Sequence, residues 1–103
     1  MISQALAKEL KEGGFPQYWE SHWFYNKNGN REFTGDLSYS EEVRNVCCVI
    51  PTLSELIQLC GPKFSSLHQV SGQYMARGAD LEIAEGQSPD EALARLWLMV
   101  NNG

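Results

Sequence analysis

The sequence has no apolar run near the roughly 18 residues that a membrane-crossing helix needs, and its first residues carry no hydrophobic signal segment. Both absences predict a cytoplasmic chain that does not enter a membrane. It also lacks a GxxxxGK[ST] loop, a GxGxxG turn after a strand and a GxSxG elbow, the minimal hardware of nucleotide-dependent enzymes and of many hydrolases. Histidine is scarce: His22 and His68 fall in separate predicted strands, with no HExxH or CxxC spacing nearby. No catalytic residue, no metal site and no cofactor is therefore expected. Cysteine is limited to Cys47, Cys48 and Cys60, an odd number. The first two are adjacent on a predicted strand and point to opposite faces, so no disulfide framework follows. Cys60 falls on an apolar stripe, and buried, reduced thiols are expected at all of these positions.

Positive charge is in short supply as well. Eight Lys and Arg stand against thirteen Asp and Glu, for a net charge of -5. That balance opposes binding to nucleic-acid phosphates or to anionic lipid. It does not make a DNA mimic, because Lys8, Lys11, Arg44, Lys63, Arg77 and Arg95 interrupt any dense acidic face.

What the chain does have is an ordinary globular composition, 43% apolar and 20% charged over 103 residues. One globular domain spanning 1–103 is expected. Its centre is the stretch Ile50 to Pro62, where a β-branched run gives way to a helix. Thr52 and Glu55 form a capping box, Leu53, Leu56, Ile57 and Cys60 make one apolar stripe, and Gly61 ends the helix. Upstream, Ser3 caps a helix over Gln4 to Glu12 with Ile2, Ala5, Leu6 and Leu10 near one face. Val46 to Ile50 reads as a covered central strand. Downstream comes a meander: Leu67 to Val70, a turn at Ser71-Gly72, Gln73 to Arg77, a turn near Gly78 to Asp80, then Leu81 to Glu85 with Leu81 and Ile83 alternating with Glu82. Ser88-Pro89-Asp90-Glu91 opens the last helix, in which Trp97 reads as core among Leu93, Leu96 and Val100. The class is α+β: a mainly antiparallel sheet of about five or six strands with three helices in the order α-β-β-β-α-β-β-β-α, disposed as a three-layer arrangement.

The surplus is aromatic. Tyr18, Trp19, Trp23, Phe24 and Tyr25 crowd one segment ahead of Asn28-Gly29, a strong hairpin signal. A two-residue loop there pairs Lys27 with Asn30, Tyr25 with Glu32, Phe24 with Phe33 and Trp23 with Thr34. Phe24 and Phe33 would then share one face, and Trp19, Trp23 and Tyr25 the other. Either helices cover both faces, or Trp19, Trp23, Tyr25 and the neighbouring Glu32 form an interface. The segment 35–45 is polar and acidic and reads as a loop.

Three stretches, Leu10 to Gln17, Pro51 to Ile57 with Cys60-Gly61, and Ser88 to Leu98, resemble small uncharacterised proteins of bacteriophage and prophage genomes. The last, with the strand before it, is also similar to phage proteins with an α-β-α sandwich and to antitoxins of the HicB type. The resemblance implies a bacterial cytoplasmic setting and supplies no catalytic residues. For a non-enzymatic protein of that kind the expected role is host takeover or anti-defence by engaging a bacterial host protein. The alternatives are sequestration of a nucleotide-like small molecule and a homodimeric accessory protein joined through the aromatic hairpin.

Overall fold

The structure, a computed structural model, describes residues 2–17, 22–33 and 47–102. Among these residues the chain runs α1 (Gln4–Glu12), β1 (Trp23–Tyr25), β2 (Arg31–Phe33), β3 (Cys48–Ile50), α2 (Leu53–Cys60), a 3-10 turn (Gly61–Lys63), β4 (Phe64–Val70), β5 (Gln73–Gly78), β6 (Ile83–Gly86) and α3 (Pro89–Asn102). This is the α+β class and the element order read from the sequence. The strands form two antiparallel three-stranded sheets, β2-β1-β3 and β4-β5-β6. Contacts gather into two compact units, Ser3–Pro51 and Thr52–Gly103 with Met1–Ile2. No helix among the described residues is long and apolar enough to cross a membrane.

In the unit Ser3–Pro51, Ser3 caps α1 by accepting a hydrogen bond from the Leu6 amide at 3.2 Å. The helix buries Leu6, Ala7 and Leu10. Ala5, expected on that face, is exposed, because Ala7 stands one turn before Leu10 and Ala5 does not. The strand β3 is buried along its length, as its unbroken apolar sequence requires. It is not central among the described strands, however, but pairs on one side with β1. The Gln17 side chain takes up the Val49 amide at 2.9 Å, satisfying a group that a neighbouring strand would otherwise bond.

In the other unit the caps are those the sequence spells. The Glu55 amide donates to Thr52 Oγ1 at 3.2 Å and the Thr52 amide to Glu55 Oε1 at 2.9 Å, while Gly61 closes α2 at φ 56°. Of the predicted stripe, Leu56 and Cys60 are buried, Leu53 is half-buried and Ile57 is exposed. At α3 the Glu91 amide donates to Ser88 Oγ, and the Glu91 carboxylate receives the Gln87 amide, one residue ahead of the standard capping-box position. Trp97 is buried, with Ala92, Leu93, Ala94 and Leu96.

The last strand departs from the sequence expectation. Its preceding turn closes with a Gly78 amide to Glu82 carbonyl bond at 2.8 Å, so Leu81 sits in the turn at φ 74° and is 91% exposed. The strand begins at Ile83, which faces out, and it buries Ala84 and Gly86. Small side chains win this face because α3 packs there: a Cβ on Gly86 would lie 2.7 Å from the Ala92 amide nitrogen. Arg95 fastens the helix to the strand, with Nη1 donating to the Glu85 carbonyl at 2.7 Å and Nη2 pairing with Glu91 at 2.6 Å.

Candidate functional site

The aromatic hairpin forms, but one residue out of the expected register. The pairs are Trp23 with Phe33, Phe24 with Glu32 and Tyr25 with Arg31. The cause is the turn. Asn26 Oδ1 accepts from the amides of Asn28 and Asn30 at 2.9 and 3.0 Å, and the Gly29 amide bonds the Asn26 carbonyl at 3.0 Å. Lys27, Asn28 and Gly29, the last at φ 83°, therefore make a three-residue loop with glycine in the left-handed position, instead of a two-residue loop at Asn28-Gly29.

Because side chains alternate, a slip of one residue turns β2 over. Phe33 leaves the side of Phe24 and joins Trp23, their ring centroids 5.6 Å apart and the planes inclined at 55°. Phe24 is buried at 1% exposure, whereas Trp23 and Phe33 are 46% and 49% exposed. Tyr25 lies on the Trp23 side, half-buried, opposite Arg31. Glu32 falls on the Phe24 side, and its carboxylate accepts from Asn26 Nδ2 at 3.0 Å. Of the four residues singled out by the sequence, Trp23 and Tyr25 are thus brought together, Glu32 is turned away from them, and Trp19 lies outside the described residues, as do Thr34 and the segment 35–45.

Phe33 is the residue the sequence reading misplaced. The signal that could have placed it is Asn26: an Asx side chain two residues before Asn28 favours the longer loop, and the Asn-Gly pair alone does not reveal it.

Among the described residues no group of His, Cys, Asp and Glu is arranged to hold a metal ion. The free thiols of Cys47, Cys48 and Cys60 are all buried. Desolvation raises the pKa of each, and at Cys47 and Cys48 it outweighs the opposing charge of Lys11, helped at Cys48 by Lys8. These are protonated, packed thiols with little nucleophilic character near neutral pH. Comparison with protein-family models, with curated proteins and with solved structures found no match.

Proposed function

We propose that the protein acts by binding another protein through the outer face of its aromatic hairpin and carries out no chemistry of its own. The observation behind this reading is the Trp23–Phe33 pair, two large rings packed on each other and each about half exposed. Aromatic side chains that remain accessible while held in a fixed geometry lose little entropy on docking, and such residues carry much of the energy of protein contacts. With the resemblance to small phage proteins, the role is host takeover or anti-defence, and the partner is a bacterial protein presenting an apolar pocket.

Capture from bacterial lysate tests this, with Trp23→Ala and Phe33→Ala compared against wild type. Each variant should keep its circular dichroism spectrum and lose the specific partner, with affinity falling by about 30-fold, the equivalent of roughly 2 kcal/mol. A folded variant that retains every specific partner overturns the reading. Light scattering adds a control: a wild-type dimer that Trp23→Ala converts to monomer would identify the occupant of the face as a second copy of this chain.

A further inference from the structure

The unit Ser3–Pro51 also holds a groove of about 530 Å³, a size that suits a small molecule. One wall is the polar side of α1, where Gln4, Lys8, Lys11 and Glu12 recur at helical spacing away from the buried Leu6, Ala7 and Leu10. The other wall is the hairpin loop at Asn26 and Lys27, and Cys48 contributes to the lining. The loop is set close against the helix: a Cβ on Gly29 would come within 2.7 Å of Gln4 Oε1. Lysines from separate elements, Lys8 and Lys11 of α1 and Lys27 of the loop, thus line one concavity, beside the Glu12 carboxylate and that of Glu32, which holds Asn26.

This cluster of lysines sits in a chain whose net charge is -5. Lys11 is held in place by donating from Nζ to the Cys47 carbonyl at 2.5 Å, while Lys8 and Lys27 are exposed and make no ion pair among the described residues. We infer that this groove binds a small phosphate-bearing anion. The charge type favours phosphate over carboxylate. Lysine offers compact point charges that suit a tetrahedral, multiply charged group, whereas planar carboxylates are matched best by the arginine fork, which no described lining residue supplies. The anion must also be small. At physiological ionic strength charges are screened beyond about 8 Å, so a ligand confined to the groove senses the lysines, while an extended polyanion meets the acidic remainder of the chain. None of the described lining residues is aromatic, so recognition rests on charge and on the Gln4 amide, without base stacking.

Isothermal titration calorimetry with inorganic pyrophosphate, ATP and citrate tests the inference on the full chain. Pyrophosphate and ATP should each bind one to a chain, more weakly as salt is added, and citrate about tenfold more weakly than pyrophosphate. Lys8→Gln and Lys27→Gln, both at exposed positions, should each weaken pyrophosphate binding by about tenfold with the circular dichroism spectrum unchanged. The inference is overturned by an absence of saturable heat at millimolar pyrophosphate and ATP, by folded glutamine variants that bind as wild type does, or by citrate binding as tightly as pyrophosphate.

Discussion

Two hairpins, one in each compact unit, carry the same kind of turn signal and close differently. At Ser71-Gly72 both residues have positive φ, 52° and 81°, and Val70 pairs directly with Gln73, a two-residue loop as its sequence predicts. At Asn28-Gly29 only the glycine is left-handed, and the loop takes in Lys27 as well. The difference lies two residues before the dipeptide. Asn26 offers an oxygen that two amides downstream use, whereas Gln69, at the matching place before Ser71, carries its amide one methylene further out. A dipeptide fixes where a chain reverses, but a neighbour's hydrogen-bonding capacity fixes the register, and register decides which aromatic ring meets solvent.

The largest effect should come from the buried side of the first hairpin. Phe24→Ala removes a ring with 1% exposure and should destabilise the protein by about 4 kcal/mol in chemical denaturation, more than any substitution on the opposite face of the same strand. A cost near that of Trp23→Ala would mean that the two faces are not the ones described.

The thiols allow a second contrast between the units. Cys60, 3% exposed, has burial alone acting on it, which pushes its pKa from 9.0 up to about 11. Below pH 9 the thiol is neutral whether the chain is folded or not, and nothing is lost. As pH climbs from 9 toward 11 the unfolded chain ionises while the folded one resists, so stability falls by about 1.4 kcal/mol per pH unit. Cys60→Ala should lack this part of the alkaline slope. Cys47 and Cys48 have lysines opposing their desolvation. Denaturation midpoints of wild type and variant across that window check the difference.

Much of the fold is legible in local chemistry. The serine and threonine caps, the capping-box glutamate at Glu55, the stop at Gly61 and the proline at the head of α3 each act within a few residues of themselves, so the sequence displays them directly. What the sequence hides is competition between distant elements. Ile83 reads as an inward residue by alternation, yet the helix α3 selects the face carrying Ala84 and Gly86 because its backbone comes too close for a larger side chain. The hairpin surface is half legible: its aromatic composition is plain, its membership is not, since Phe33 and Glu32 exchange sides through a turn that Asn26 controls.

Asn26→Ala addresses that control directly. The substitution removes acceptors for the Asn28 and Asn30 amides and the donor to Glu32, and should cost about 1 kcal/mol. If Asn26 sets the register, the variant should also show new cross-strand contacts by nuclear Overhauser effects, with Phe33 moving toward Phe24 as a two-residue loop becomes competitive. Retention of the wild-type contacts would assign register to the packing of the strands instead.

The smallest effect is expected in the coupling of Trp23 to Phe33, and it bears on both comparisons. With nearly half of its side chain already in water, Trp23→Ala forfeits about half the burial that removing a fully enclosed ring would, and its contact with Phe33 accounts for about 0.5 kcal/mol of the cost. A double-mutant cycle with Phe33→Ala isolates this contact: a coupling of about 0.5 kcal/mol or more follows from the observed register, and a coupling near zero from the register with a two-residue loop, where Phe33 would lie across from Phe24. A cost to the fold well below that of Phe24→Ala combined with large loss of partner binding is the signature of a residue kept for contact more than for packing, whereas a stability cost comparable to that of Phe24→Ala would return Trp23 to the core.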